Sequence, residues 1–280
     1  MTATRRKRLA PLVVTATVAV VAALCGVTAP NAQAFYIQNH EMITRNALPP
    51  DQVDEAAVLQ ILIGPPPGAG AVGSDAFVSD EFRHIDNAKD AADICARTTQ
   101  AWNFFYPLIQ GGAQATGPGG GDLVDGPEAR AAFGGLAHAL QDFYSHSNWV
   151  ELNTAAGDFE RMPPPLMPTC DPAALPPELH TGYFSMEYSP EFQLEGCPPA
   201  GPPPGYAECH DALNKDGWNT QRGMVRVPGT GWNNFDLAAL LATKATTDLF
   251  WQVRGLIAGN AGECVAANLF QADRHQPCWG

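Results

Sequence analysis

The stretch from Ala131 to Val150, AAFGGLAHALQDFYSHSNWV, holds no Lys, Arg or Glu, and Asp142 is its only acid. Pro127 and Glu128 precede it as favourable first-turn residues, so 127–152 reads as one helix. At about 100° per residue, Phe133, Leu136, Leu140, Phe143 and Tyr144 fall on one side, while His138, Asp142 and His146 share another within an arc of about 80°. A surface helix would place Lys and Glu on that second side. Both sides are therefore covered, one by core and the other by something that suits imidazole and carboxylate. A buried histidine is ordinarily just hydrogen-bonded, and an i,i+4 His–Asp pair does not by itself make a metal site. The rest of the chain has to decide.

Four further stretches read as helical: 38–48, 51–63, 82–110 and 234–258, with Pro107 ending or kinking the third and Asn234 capping the last. Gly- and Pro-rich connections lie at 64–74, 111–126 and 157–206. The last is long for a structureless loop, which marks a lid or an irregular covering loop, and Cys170 and Cys197 would staple it. No stretch alternates as a strand and no repeat is visible. The expected class is all-α, one helical domain over 35–280 with long Pro/Gly-rich loops.

Residues 1–34 read as a signal peptide: Arg5, Arg6, Lys7 and Arg8, an apolar run from Leu12 to Val27, then Ala32-Gln33-Ala34 as cleavage site, leaving Phe35 first. No later run is long enough to span a bilayer, so a secreted protein is expected. The leader holds four of the 16 basic residues and none of the 29 acidic ones, so 12 basic groups remain against 29 acidic, a net charge of −17. That charge disfavours nucleic acid and anionic membranes but not neutral or zwitterionic substrates. With Cys25 in the leader, six cysteines remain, which suits up to three disulfides in any of 15 connectivities and, lacking a C-x-x-C pair, no thiolate zinc site.

Apart from His180 in the Pro-rich loop and His275 in the tail, each remaining histidine has a carboxylate neighbour: His40 in FYIQNHEMIT, His84 in FRHID with Asp75, Asp80 and Asp86 nearby, and His210 in ECHDALNKD. Here a resemblance enters. LAHALQDFYSHSNWVEL (136–152) resembles the signature of fungal Het-C proteins and of secreted actinobacterial CinY proteins, with weaker similarity at 35–44 and 83–88. Behind both stands the zinc-dependent phospholipase C and S1/P1 nuclease superfamily, all-helical phosphate-ester hydrolases with three zinc ions. The resemblance implies one zinc held by the amine and carbonyl of Phe35 with His40 and Asp142. It implies a second held by His84, His138, Asp142 and an upstream acid, Asp75 being preferred. The third would take His146, His210 and a following acid, Asp216, with Asn214 at the family's usual offset. Phe35 stands where the family usually has Trp, both gaps in the 138–146 triple are x3 as in Het-C, and Asn214 replaces a carboxylate.

On this resemblance the expected activity is secreted zinc-dependent hydrolysis of phospholipid headgroup phosphate esters by a zinc-bound hydroxide, with Asp75 orienting water and Asp142 bridging ions. Zinc brings the pKa of bound water down to ~7. The alternative is a Het-C-like protein that keeps zinc as a staple and works through a partner or membrane contact. A single-strand nuclease is a lesser alternative, disfavoured by the charge. A serine hydrolase is disfavoured because no Gly-x-Ser-x-Gly elbow exists, and the glycines at 117–121 read as linker rather than phosphate loop.

Overall fold

In the computed structural model, which describes residues 35–115, 125–188, 196–274 and 278, the stretch around Asp142 becomes the axis of a helical assembly. The earlier helices are α1 (Ile37–Ala47), α2 (Glu55–Leu62), α3 (Gly70–Gly73), α4 (Glu81–His84) and α5 (Ala91–Ala115). The axis itself is α6 (Asp125–His146), followed by α7 (Trp149–Ala156), α8 (His210–Leu213), α9 (Asn234–Ala261) and α10 (Glu263–Phe270). Every residue from Ala129 to Val150 is buried, because α2, α3, α5 and α9 all pack on α6. Gly134 and Gly135 permit this enclosure. A Cβ at Gly134 would lie 1.9 Å from the Ile61 carbonyl oxygen, and one at Gly135 2.5 Å from the Phe105 ring.

Among the described residues only isolated β-bridges occur, so the all-α expectation holds at the level of class. The boundaries differ from expectation at four places. Residues 82–110 are two helices, because Ile85 (φ 52°) and Asn87 (φ 59°) are left-handed and break the run after His84. Pro107 neither ends nor confines α5, which continues to Ala115 with Ile109, Gly112 and Ala113 buried against its neighbours. The 127–152 stretch divides at Ser147–Asn148, where Ser147 bridges to Thr181 and the Asn148 N–H donates to the His180 carbonyl. α9 opens on a capping box between Asn233 and Asp236, one residue before the expected cap.

The core is one continuous cluster drawn from α1, α2, α5, α6, α9 and α10. The described parts of 157–206 run over it as irregular chain with short 3₁₀ turns at Pro172–Ala174 and Met186–Tyr188. Of the 15 pairings, the fold selects Cys95–Cys170, Cys197–Cys209 and Cys264–Cys278, the first tying this strap to α5. Three disulfides fit an extracellular protein. Among the described residues no helix is long and apolar enough to cross a membrane. The expected leader (1–34), the glycines at 117–121 and His275 lie outside the described residues.

Candidate metal centre

The enclosed face of α6 meets three groups of donors: His40 with His138 and Asp142, Asp75 with His84 and His138, and Asp86 with His146 and His210. α6 supplies His138, Asp142 and His146 one turn apart. α1 brings His40, the turn after α3 brings Asp75, α4 brings His84 and α8 brings His210. Asp142 is the hub. Its Oδ1 lies 3.2 Å from His40 Nε2, and its Oδ2 lies 2.8 Å from His84 Nδ1 and 3.0 Å from His138 Nε2. Asp75 Oδ1 stands 3.8 Å from His138 Nε2.

The far nitrogens of these rings settle which atoms face inward. His138 Nδ1 lies 2.8 Å from the Ala71 carbonyl oxygen, which only accepts, so Nδ1 carries the proton and donates. His40 Nδ1 likewise donates to Gln141 Oε1 at 2.7 Å, and that amide is oriented by donating to Thr44 and Thr246. Burial, assisted by His40, pushes His138 down to about 4, so at neutral pH its Nε2 is a lone pair aimed at the Asp142 carboxylate. His84 Nδ1 stands beside both of these acceptors, 3.1 Å from His138 Nε2 and 2.8 Å from Asp142 Oδ2, so either its proton or a cation offsets their repulsion in this dry site. Burial opposes the charge of His40, but Asp142 overcomes it and raises this ring to about 9. Burial also works on Asp142, whose carboxyl is nonetheless held well below the usual range by His138 and His40. Burial raises Asp75 to about 7.

The third group is built differently from expectation. His146 Nδ1 lies 3.1 Å from His210 Nε2 and 3.4 Å from Asp86 Oδ1, while its Nε2 lies 2.9 Å from Asp216 Oδ1. Asp216 thus sits behind His146, on the ring nitrogen turned away from His210, and also accepts from Ser145 Oγ at 2.5 Å. Asn214 is not in the group. Its Oδ1 accepts the Asp216 N–H at 2.9 Å and shapes the turn. Burial, then the charge of His146, pushes His210 down to about 4. Burial opposes protonation of His146, but Asp216 and Asp86 raise it well above its ordinary value.

Asp86 is the residue the sequence reading passed over, although it stands two positions from His84 in FRHID. The left-handed Ile85, a conformation that costs a β-branched residue roughly 1–2 kcal/mol, sends His84 to Asp142 and Asp86 to His146. Asn87 holds the turn by accepting the Phe184 N–H and donating to Glu81 and the Phe184 carbonyl. Phe35 is fully buried, its ring edge-on to His40 at 5.6 Å. The Tyr36 N–H and Asn39 side chain donate to the Asp216 carbonyl, so the start of the described chain is tied to the same centre. His180 lies apart from these groups and pairs with Glu208.

Eleven buried side-chain N/O atoms among the described residues have no hydrogen-bond partner, and six belong to this centre: both oxygens of Asp75, His84 Nε2, Asp86 Oδ1, Asp142 Oδ1 and Asp216 Oδ2. Buried polar atoms are normally satisfied, and this concentration of unpartnered ones is compatible with a place that could hold a cation. The six described cysteines are all in disulfides, leaving an imidazole and carboxylate donor set that suits a first-row divalent ion. The arrangement can hold metal ions at up to three adjoining points.

The model of a family described as the VWA7 N-terminal domain matches residues 125–161, which cover α6, α7 and the first residues of the strap. No curated protein and no solved structure matches the chain.

Proposed function

We propose that this is a secreted zinc-dependent phosphodiesterase of the phospholipase C and S1/P1 nuclease superfamily, acting on phospholipid headgroup phosphate esters. The supporting observation is the convergence of three buried groups of imidazoles and carboxylates on one face of α6, with His138 Nε2 3.0 Å from the Asp142 carboxylate. His40, Asp142 and the terminal amine and carbonyl of a chain beginning at Phe35 would hold one zinc. Asp75, His84, His138 and Asp142 would hold the second, and Asp86, His146 and His210 the third. Bound zinc supplies a water of pKa ~7 and polarises phosphoryl oxygens. The chain's own part is positional. Asp142 joins the first two groups through its two oxygens, Asp75 has two unpartnered oxygens, one to hold the ion and one to orient water, and Asp216 with Ser145 sets the His146 ring.

One observation favours the second reading, a Het-C-like zinc-stapled protein acting through a partner or membrane contact. No candidate side-chain ligand is more than 6% exposed. A single-strand nuclease remains the lesser alternative because of the −17 charge. The test is elemental analysis of the chain starting at Phe35, followed by assays on phosphatidylcholine and on single-stranded DNA. Three zincs with phosphatidylcholine hydrolysis are expected, together with abolition of activity in Asp142→Asn at unchanged helical content. Activity retained in that variant would refute the bridging role, and one or two zincs without hydrolysis would favour the stapled protein.

A further inference from the structure

Beneath the triple proline Pro163-Pro164-Pro165 lies a cavity of about 330 Å³ that shares no residue with the metal groups. Its walls are α6, through Leu140 and Tyr144, and α9, through Asp248, Leu249 and Gln252, with the proline strap as roof. Leu140 and Tyr144 stand two residues beyond His138 and Asp142, about 200° further round the helix, so the cavity opens on the opposite face of α6 from the metal centre.

Its polar groups are few and lopsided. The Tyr144 residue is completely buried, and its hydroxyl oxygen has no hydrogen-bond partner. Gln252 has its Nε2 committed to the Met167 carbonyl at 3.0 Å, which leaves its Oε1 as the free end. Asp248 lies exposed on the rim, and after burial its charge is the next cause holding the Tyr144 phenol up and protonated. Among the described residues no Lys, Arg or His lines the space, and the proline roof has no N–H to offer. The cavity is therefore apolar in body, rich in acceptors and negatively charged at one edge. At this volume it falls in the range of small-molecule sites, whose few polar groups fix the ligand's orientation.

We propose that this cavity binds a small amphiphilic organic cation. The hydrocarbon part lies between Leu140, Leu249 and the proline strap, and the ammonium donates to Asp248 and to Gln252 Oε1, with the Tyr144 side chain forming part of the wall. A fatty acid is the wrong partner, since its carboxylate would meet Asp248 with no cation to receive it.

Calorimetric titration of the metal-loaded chain with n-octylammonium, n-octanol and octanoate, each below its aggregation threshold, tests this. Saturable 1:1 binding of octylammonium is expected, with octanoate at least about tenfold weaker. Asp248→Asn, an exposed position, should lower octylammonium affinity about tenfold and bring it near that of octanol, whereas Asp51→Asn on a remote surface should not. Ala245→Met, which fills the cavity from α9, should remove binding of both neutral and cationic probes. Octanoate binding as well as octylammonium, affinity unchanged in Asp248→Asn, or no saturable binding of octylammonium would each overturn the proposal. Metal content is measured in parallel and stays constant if the site is separate from the metal centre.

Discussion

His146 shows how one ring can be committed at both ends. Its Nε2 contacts Asp216, which also receives the Ser145 hydroxyl, and its Nδ1 faces His210 and Asp86. A carboxylate behind a ligating imidazole fixes the tautomer and raises basicity, and its loss typically costs 10–100-fold in metal affinity. Asp216→Asn should therefore weaken the third group about 10–100-fold, read by competition with a chelator, while saturating metal restores full stoichiometry. A stoichiometry reduced by one at saturation would show Asp216 to be a ligand instead. The types of residue that do this work are visible in the sequence, since histidines beside acids are conspicuous in a chain with only seven histidines. The choice of Asp86 over Asp216 for the inner position is not visible there. It follows from the positive φ of Ile85, and no hydrophobic period records a backbone reversal of that kind.

At the scale of elements, α6 was readable because an enclosed helix has no place for surface Lys and Glu, and from Ala131 to His146 Asp142 is its only acid and no Lys or Arg occurs. Its glycines carry a further meaning that only packing reveals. Gly134 lets the backbones of α2 and α3 approach, and Ala71, whose carbonyl orients His138, is part of that contact. Gly134→Ala should destabilise the protein by about 1–3 kcal/mol or more through overpacking. It should also reduce metal loading, so thermal denaturation and elemental analysis should move together. A melting temperature and metal content equal to wild type would show that the contact yields freely. The breaks at Ile85–Asn87 and at Ser147–Asn148 escaped the periodic reading because apolar spacing continues across both. Pro107 misled in the other direction: tertiary burial of Ile109 and Ala113 carries α5 past a residue that would end an isolated helix.

For the whole molecule, metal binding would be coupled to the fold, since donors from four helices and two turns meet only when α1, α4, α6 and α8 are docked. A ligand present at 100 times its dissociation constant adds about 2.7 kcal/mol, so removal by a chelator should lower the melting temperature by several degrees and zinc should restore it. Adding residues before Phe35 should lower the zinc content without unfolding the chain, and full loading of such a protein would count against a terminal-amine ligand. The amino-acid sequence alone determined the helical class, the cysteine count suited to three bridges and the imidazole and carboxylate character of the centre. Each of these depends on composition or on residues within a turn or two of one another. Tertiary structure decided which cysteines pair, which acid meets which nitrogen, and that a cavity opens on the far side of α6 from the histidine and carboxylate groups. Those outcomes join residues as far apart as His84 and Asp142, 58 positions, or His40 and Gln141, 101 positions. Separations of that size are closed by the packing of whole helices around α6, and local sequence pattern does not encode them.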